Sequence, residues 1–278
     1  MKAAVYLRNR LLEKDARYLG LIGKFRSGGC QVYEVDGHAG IDEDTDIFVS
    51  VGGDGTFLSS AVIVGDKGIP VLGVNLGRLG FLSENRQDEV VEDILSGKYT
   101  IEERTLLKAE FAGPGQDCLA GLYPYALNEI TVHRSGPAML GVDVSIDGSP
   151  LPTFWSDGML VATSSGSTAY SLSVGGPIVM PDAKVLIISP IAPHNLNVRP
   201  LVVPDTSVIS MSLRARDEKA FLTIDNRSQE VPTELKMTVS MAQFSLKRVR
   251  LSSSNFIKAL TTKLFWGEDI RNDIKNVR

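Results

Sequence analysis

One stretch decides the fold of this chain: IFVSVGGDGTFL, residues 47–58. Its first five residues, Ile47 to Val51, are almost wholly apolar, which is typical of a strand covered on both faces in a parallel sheet. The glycines that follow predict a sharp turn, and Phe57 and Leu58 open a helical pattern that Thr56 can cap. Such a junction places backbone N–H groups and the positive end of a helix dipole at the carboxyl end of the sheet. The stretch therefore predicts an α/β unit with a phosphate site.

Asp54 lies inside this predicted anion site, between two glycines. A carboxylate repels phosphate unless it handles a proton, a hydroxyl group or a metal ion beside that phosphate. The turn therefore indicates phosphoryl transfer with Asp54 as the candidate catalytic residue. For so short a motif taken alone, a plain tight turn with a solvated aspartate is the alternative. The candidate contacts of the phosphate donor in this turn are Gly52, Gly53, Gly55 and Thr56.

Two common phosphate motifs do not fit the sequence. The Walker pattern requires Gly-Lys-Ser/Thr at the end of a glycine loop, but Phe25 follows Lys24 and Tyr99 follows Lys98. The dinucleotide fingerprint requires a third glycine where Leu58 stands. Any donor phosphates must then be held by backbone groups of the glycine turn, by a cation and by other basic side chains.

The composition is that of an ordinary globular protein. Of 278 residues, 43% are hydrophobic and 22% charged, enough for a sizeable core. A net charge of -4 favours neither a nucleic acid nor an anionic membrane as partner. The two cysteines form neither a disulfide framework nor a metal cluster, and no apolar run is long enough to cross a bilayer. We therefore expect a cytoplasmic protein.

The first part of the chain, up to about Arg104, alternates strand and helix signals. Besides the stretch quoted above, the runs Ala3 to Leu7, Gln31 to Val35 and Pro70 to Asn75 predict strands. The segment from Asp88 to a glycine stop at Gly97 predicts a helix. Alternation of this kind is typical of a parallel sheet with helices.

Beyond Thr105, short strands separated by turns replace this alternation. Asp147-Gly148 and Asp225-Asn226 are predicted as turns, and Ser254 to Trp266 has the spacing of an amphipathic helix that can pack on the first part. We expect an α/β domain of residues 1–104 joined by a C-terminal helix within 253–278, and a mostly β domain of residues 105–252. The predicted strands of the second domain are Leu106 to Phe111, Ala126 to His133, Val142 to Ile146, Gly158 to Thr163, Val185 to Ser189, Ser207 to Leu213, Phe221 to Ile224 and Met237 to Ser240.

Three further groups of polar residues accompany the glycine turn. A row of hydroxyl-bearing residues from Ser164 to Ser171, which includes Tyr170, suits a polyhydroxylated or phosphorylated ligand. A flexible serine-rich loop is the alternative. Asn128-Glu129 interrupts an apolar run, where it can bind an adenine edge or ribose hydroxyls, or face solvent. Asp157 by itself is a turn acid.

Together these segments resemble the NAD kinase family, from residue 47 to about residue 205. The resemblance is weaker in the C-terminal third and only architectural before residue 45. It implies transfer of the terminal phosphoryl group of ATP, or of polyphosphate, to the 2′-hydroxyl of the adenosine ribose of NAD, which yields NADP. It also implies Mg²⁺ or another divalent cation with ATP. The segments that carry it are Gly52-Gly53-Asp54-Gly55-Thr56, Gly73-Val74-Asn75-Leu76-Gly77-Arg78-Leu79-Gly80-Phe81-Leu82, Asn128-Glu129, and Asp157-Gly158 through Gly166-Ser167-Thr168-Ala169-Tyr170 to Gly175-Gly176-Pro177-Ile178.

The resemblance also implies roles for single residues. Asp54 would contact and activate the acceptor hydroxyl, Phe81 would pack on the adenine, and Arg78 is a candidate contact of the donor. Family members form dimers or tetramers, so we expect Asp157, Ala169 and Tyr170 to be shared across a subunit interface. No metal ligands are assigned. The implied NAD contacts are Gly53, Asp54, Gly55, Leu58, Phe81, Asn128, Glu129, Asp157, Ser165, Thr168, Ala169 and Tyr170.

Two departures from the family pattern leave details open. Trp155 stands where many members have arginine, so the preference between NAD and NADH is not determined. The segment from Asp225 to Gln229 matches the family's Asp-Gly-Gln-like turn only loosely. The Gly-Gly-Asp-Gly core also occurs in diacylglycerol and sphingosine kinases and, in a related form, in phosphofructokinases. A lipid or sugar kinase and a non-catalytic NAD-sensing module are therefore the alternatives.

Overall fold

The structure is a computed structural model that describes residues 1–37, 40–77, 80–252 and 254–267. The chain divides into two compact units. The first is Met1–Glu102 together with the segment that begins at Lys247, and the second is Glu103–Leu246. Among the described residues, no helix has the length and apolar character that crossing a membrane requires.

The secondary structure consists of short strands and a few helices. The strands are β1 Lys2–Leu7, β2 Gln31–Val35, β3 Ile47–Val51, β4 Val71–Asn75, β5 Asn85–Arg86, β6 Tyr99–Arg104, β7 Leu107–Ala112, β8 Tyr125–Ala126, β9 Glu129–Arg134, β10 Leu140–Ile146, β11 Ser149–Pro150, β12 Phe154–Ser156, β13 Gly158–Thr163, β14 Val185–Ile191, β15 Leu201–Pro204, β16 Ile209–Arg214, β17 Lys219–Ile224, β18 Arg227–Pro232, β19 Lys236–Met241 and β20 Leu246–Leu251. The α-helices are α1 Ala16–Ser27, α2 Asp54–Val64, α3 Gln87–Leu95, α4 Tyr170–Ser173 and α5 Phe256–Leu264, and short 3₁₀ helices cover Arg10–Lys14, Gln116–Leu119 and Ser165–Thr168.

The first unit is built on a sheet with the strand order β2-β1-β3-β4-β20-β6, and β5 pairs with β4. The pairings of β1 with β2 and β3, and of β4 with β3 and β20, are parallel. All five residues of β3 are buried, as expected for a strand covered on both faces. Its core joins strand residues such as Val49 and Leu72 to Phe25 of α1 and Val90 of α3. The predicted parallel α/β architecture is confirmed.

The start of α2 differs from the prediction. Thr56 was expected to cap this helix, but Gly53 is the N-cap and Asp54 is already the first helical residue. The carboxylate of Asp54 therefore lies at the positive end of the helix dipole, which favours a negative charge. Thr56 instead packs against Gly52, whose backbone has φ of +149°.

The end of the second unit also differs from the expected limit at residue 252. Strand β20 was not predicted, and it pairs in parallel with β4 through Arg248 and Val71, inside the first sheet. The chain thus returns to the first unit at Lys247 rather than at residue 253. Leu246, Val249 and Leu251 are buried in this position, so burial of an apolar strand explains the earlier return.

The second unit contains two antiparallel sheets that share one apolar core. One has the order β11-β10-β16-β19-β7-β8 with β12 paired to β10, and the other has the order β15-β14-β13-β9-β17-β18. Val142 and Met237 contribute to the core from the first of these sheets, and Met159 and Leu222 from the second. The predicted mostly β fold is confirmed.

Both predicted Asp turns of this unit are present. Asp147 and Asp225 each lie in a two-residue connection between paired strands, with φ of +51° and +52°. The single strand predicted from Ala126 to His133 was wrong. The chain leaves one sheet after Ala126 and enters the other at Glu129, so Leu127 and Asn128 connect two sheets.

Candidate active site

The carboxylate of Asp54 is held by the backbone of a loop that follows β4. Oδ2 accepts a hydrogen bond of 2.8 Å from the N–H of Phe81. Oδ1 accepts hydrogen bonds of 3.0 Å and 2.9 Å from the N–H groups of Leu82 and Ser83. Since a carboxylate offers about four lone-pair positions, one on Oδ2 remains for a further donor. Asp54 is thus a fixed, half-buried acceptor and not the solvated acid of a plain turn.

Gly80 makes this arrangement possible by its small size. A Cβ atom at Gly80 would lie 1.9 Å from Oδ1 of Asp54 and 2.3 Å from its Cγ. Because real atoms do not approach so closely, a side chain at Gly80 would displace the carboxylate. The N–H of Gly80 also donates to the carbonyl of Ser83 at 3.1 Å, which closes the loop on itself.

Two cationic side chains from the C-terminal segment hold the same loop. Arg248 of β20 is almost fully buried, and its Nη2 lies 3.4 Å from the carbonyl oxygens of Phe81 and Leu82 and forms an ion pair with Glu84. Lys263 of α5 donates to the carbonyl of Gly80 and lies 5.0 Å from the centre of the Phe81 ring. Neither residue was predicted as part of the site. The only signal in the sequence was the amphipathic helix expected to pack on the first unit.

Burial and nearby carboxylates have opposite effects on the pKa of Lys263. Burial lowers the pKa of its ammonium group, and the carboxylates of Glu84 and Asp54 act against that decrease. The neighbouring Phe256 ring lies 6.2 Å from the Phe81 ring, so α5 covers one side of the loop. Helix α5 therefore contributes both packing and charge beside Asp54.

In the second unit, Asn128 and Glu129 are both buried. Glu129 accepts a hydrogen bond from the backbone N–H of Tyr170, while its Oε2 has no partner among the described residues. Burial, with the nearby charge of Asp225, raises the pKa of Glu129 to about 8. At neutral pH this side chain is therefore largely protonated and can both donate and accept a hydrogen bond.

The backbone of this pair is held by Asp225, which was predicted only as a turn residue. Its carboxylate accepts hydrogen bonds from the N–H groups of Leu127, Asn128 and Glu129 at 2.8, 2.8 and 3.2 Å. Burial raises the pKa of Asp225, and the three backbone donors and the guanidinium of Arg227 act against that rise. The solvated strand face considered as an alternative for Asn128-Glu129 is wrong.

The row of hydroxyls after β13 is ordered by hydrogen bonds to the backbone. Thr163 donates to the carbonyl of Leu127 at 2.6 Å and accepts from the N–H of Gly166 at 3.1 Å. Ser167 bonds to both the N–H and the carbonyl of Val179, at 3.1 and 3.2 Å. These hydroxyls hold the segment in place. The predicted contacts Ser165, Thr168, Ala169 and Tyr170 are each partly exposed and so remain accessible to a ligand.

Tyr170 is the first residue of α4 and Asp157 lies between β12 and β13, both in the second unit. The Tyr170 ring stacks on His133, with ring centres 5.7 Å apart and planes 18° apart. Asp157 forms an ion pair with Arg134, with 2.6 Å between Oδ1 and Nε. Burial raises the pKa of Tyr170, and the charges of Asp157 and Glu129 add to the rise. Asp157 and Glu129 therefore each interact electrostatically with Tyr170.

Trp155 is exposed, at 46%, and its ring lies against Gly141. It lines a cavity of about 600 Å³ together with Met139, Arg214 and Arg216. The cavity combines an aromatic face with two guanidinium groups.

The remaining predicted residues are placed as follows. Leu58 is buried in α2, and Gly53 and Gly55 flank Asp54 at the start of that helix. The side chain of Arg8 approaches the carbonyl of Gly55 at 3.4 Å. Arg78 lies outside the described residues. Within the described ranges, no group of three or more His, Cys, Asp or Glu side chains is arranged to hold a metal ion.

Comparisons with known proteins agree with these features. Residues 19–99 match the model of the ATP-NAD kinase N-terminal domain, and residues 127–251 match that of the ATP-NAD kinase C-terminal domain. An NAD kinase of Flavobacterium psychrophilum is 41% identical over 239 residues, which cover 84% of this chain and 81% of the relative. An NAD kinase of Bacteroides fragilis is 42% identical over 232 residues, which cover 82% and 79%.

Two solved structures have the same fold. The crystal structure of an NAD kinase from Archaeoglobus fulgidus in complex with ATP matches with a TM-score of 0.78 and 27% identity, over 95% of this chain and 99% of that chain. The structure of yeast NADH kinase complexed with NADH matches with a TM-score of 0.84 and 23% identity, over 98% and 89%. On the strength of the two domain models and the curated relatives, the chain belongs to the ATP-NAD kinase family.

Proposed function

We propose that this protein transfers the terminal phosphoryl group of ATP to the 2′-hydroxyl of the adenosine ribose of NAD, with Asp54 as the catalytic carboxylate. Family membership gives the reaction, ATP-dependent phosphorylation of NAD, and it disfavours a lipid or sugar acceptor and a non-catalytic role. The observation that carries the role of Asp54 is its carboxylate, which three backbone N–H groups hold in place while one lone-pair position of Oδ2 remains.

Asp54 would accept the hydrogen bond of the acceptor hydroxyl at this remaining position. As the hydroxyl oxygen bonds to the γ-phosphorus of ATP, the bond from that phosphorus to the bridging oxygen breaks and ADP leaves. The hydroxyl proton passes to the Asp54 carboxylate. General-base assistance of this kind is typically worth about 10² to 10⁴ in rate. A carboxylate fixed by the backbone also orients the hydroxyl before transfer, because it does not have to reorganise.

We propose that NAD, the acceptor, is bound by the NAD contacts predicted from the sequence. Asn128 and the protonated Glu129 would bind the adenosine, since together they offer an amide and a carboxyl group that both donate and accept. Phe81 would pack on the adenine, and Gly53, Gly55 and Leu58 would line the same part of the site. Asp157, Ser165, Thr168, Ala169 and Tyr170 would contact the rest of the dinucleotide. What supports these roles is the match of the residues to the family motifs, together with the partial exposure of Phe81, Asp157 and Tyr170 and the unpartnered Oε2 of Glu129.

For the donor we propose the turn of Gly52, Gly53, Gly55 and Thr56 at the start of α2. The N–H of Gly52 already donates to the carbonyl of Val74 and that of Thr56 to the carbonyl of Gly53, so we propose the N–H groups of Gly53 and Gly55 as the phosphate donors. Helix N-termini bind phosphate because their N–H groups and dipole favour an anion. Arg78 remains a proposed contact by its place in the motif. Mg²⁺ would arrive with ATP and be held mainly by the phosphates of the donor and by water, because the remaining lone-pair position of Asp54 is assigned to the acceptor hydroxyl. The ion would neutralise charge on the transferring group.

An assay that crosses NAD and NADH with ATP and polyphosphate tests the proposal. We expect NADP from NAD and Mg-ATP, and the four rates rank both donors and acceptors. A boiled sample and a reaction with chelator serve as controls. If neither donor gives product above the boiled control, the protein is not an NAD kinase.

We further propose a cytoplasmic homodimer or homotetramer in which Asp157, Ala169 and Tyr170 serve a neighbouring subunit. The edge strand β15 supports assembly, because it carries Leu201 and Val202 with 43% and 44% exposure. Light scattering of the purified protein gives the subunit count. A monomer at assay concentration with full activity would contradict shared active sites.

A further inference from the structure

Asp225 has a buried carboxylate in a turn whose backbone conformation does not require an acidic residue. It is the first residue of the two-residue turn between β17 and β18, with φ of +52°, and its side chain is only 3% exposed. Glycine and asparagine meet the backbone demand of such a turn at least as well. Burying a carboxylate is costly unless hydrogen bonds compensate. The carboxylate must therefore have a further role.

Its contacts identify that role. Oδ1 and Oδ2 accept the N–H groups of three consecutive residues, Leu127, Asn128 and Glu129. The N–H of Asp225 in turn donates to the carbonyl of Glu129 at 2.9 Å. This segment crosses from one sheet to the other, where regular strand pairing stops. The carboxylate of Asp225 thus accepts the backbone hydrogen bonds that a neighbouring strand would otherwise accept, and it fixes the backbone position of Asn128 and Glu129.

Arg227, at the other end of the same turn, holds the chain just before this segment. Its guanidinium donates to the carbonyls of Tyr123 and Tyr125 at 3.2 and 2.6 Å and lies 5.4 Å from the centre of the Tyr123 ring. It also approaches Oδ2 of Asp225 at 3.9 Å. One turn therefore anchors the backbone on both sides of Ala126.

We propose that Asp225, on the turn that also carries Arg227, is a positioning residue that sets Asn128 and Glu129 for binding of the acceptor nucleotide. The proposal rests on the proposed function, because it takes Asn128 and Glu129 as contacts of NAD. Asp225 itself does not touch the substrate in this scheme. It acts through the backbone of the two residues that do.

Steady-state kinetics of Asp225→Asn test the proposal. Asparagine keeps the size and tolerates the positive φ, but its amide group cannot accept all three backbone N–H groups. We expect the KM for NAD to rise about tenfold or more, while the KM for ATP stays within about twofold. Asp147→Asn is the matched control. Asp147 occupies the same kind of turn with φ of +51° and accepts one N–H, that of Val208 at 2.8 Å, but it is exposed.

The possible outcomes distinguish failure of the proposed function from failure of the positioning role of Asp225. If the wild-type protein makes no NADP, the proposed function itself fails. If the wild type is active and Asp225→Asn lowers the melting temperature with unchanged KM values, or raises both KM values equally, Asp225 is merely structural and the inference is overturned. Should Asp225→Asn fail to fold, Arg227→Lys perturbs the same turn more gently. A folded Arg227→Lys variant should raise the KM for NAD selectively, and an unchanged value would overturn the inference.

Discussion

The carboxylate of Asp54 accepts a hydrogen bond of 2.8 Å from the backbone N–H of Phe81, which lies 27 positions later in the chain. The helix start that carries Asp54 is therefore joined to the loop after the neighbouring strand β4. Because these two features lie side by side, the position of the proposed catalytic group depends on a loop that sequence motifs alone do not connect to it. Changes at either partner should affect turnover more than stability.

Asp54→Asn should lower kcat by about 10² to 10⁴, because an amide cannot take the proton of the acceptor hydroxyl and cannot accept all three backbone N–H groups of the loop. The measurement is kcat together with NAD binding by calorimetry. Asp66→Asn, an exposed aspartate shortly after the same helix, is the control and should behave as wild type. Near-normal turnover of Asp54→Asn would show that Asp54 is not the catalytic base.

Gly80→Ala should lower kcat by about 10²-fold, since the new Cβ would have to occupy the space of the Asp54 carboxylate and displace it. Gly23→Ala in α1 is the control because nothing lies within 4 Å of a Cβ there. Kinetics and thermal melting of both variants check the prediction. Unchanged kcat in Gly80→Ala would mean that the carboxylate can act from a different position.

Lys263→Met should lower kcat by up to about tenfold and stability by about 1 kcal/mol, because the carbonyl of Gly80 loses its charged donor. Lys258→Met, on the exposed side of the same helix, should change neither quantity. Chemical denaturation and steady-state kinetics give both values. A loss of stability with full turnover would limit Lys263 to a packing role.

Glu129→Gln should make stability less dependent on pH. The pKa of Glu129 is raised from 4.5 to about 8 in the folded protein, so between these values the folded state keeps a proton that the unfolded chain releases. Its contribution is fully present below about pH 4.5 and is lost as the pH rises to about 8. Glutamine does not titrate, and this part of the slope should disappear.

Free energies of unfolding from urea titrations between about pH 5 and about pH 8 test this prediction. The exposed Glu234→Gln is the control and should keep the wild-type slope. Parallel curves for Glu129→Gln and the wild type would contradict the raised pKa.

Tyr170→Ala should weaken apparent NAD affinity about tenfold, with a smaller effect on the melting temperature, because the half-exposed ring is proposed to contact the ligand. Tyr170→Phe keeps the ring and its stacking on His133 and should bind NAD nearly as well as the wild type. A large decrease in melting temperature with unchanged affinity would instead identify Tyr170 as a core residue.

Much of the fold and part of the candidate site could be predicted from the sequence. Strand β3 and its glycine turn, the alternation before Arg104 and the turns at Asp147 and Asp225 depend on residues close in sequence, whose backbone preferences act locally. The helix α5 was also visible in its spacing. The strand predicted from Ala126 to His133 failed, because an apolar run does not show that the chain changes sheets at Leu127.

The sequence by itself determined the architecture, the family and the identity of the chemical groups, above all Asp54 within its glycine turn. Only the tertiary structure decided what holds those groups. The backbone N–H groups of Phe81 to Ser83 donate to Asp54, and Lys263 donates to the carbonyl of Gly80. Asp225 accepts the N–H of Asn128, just before Glu129. The partners lie between 27 and 183 positions apart. Their pairing depends on which strands and helices become neighbours in space, and local propensity does not contain that information.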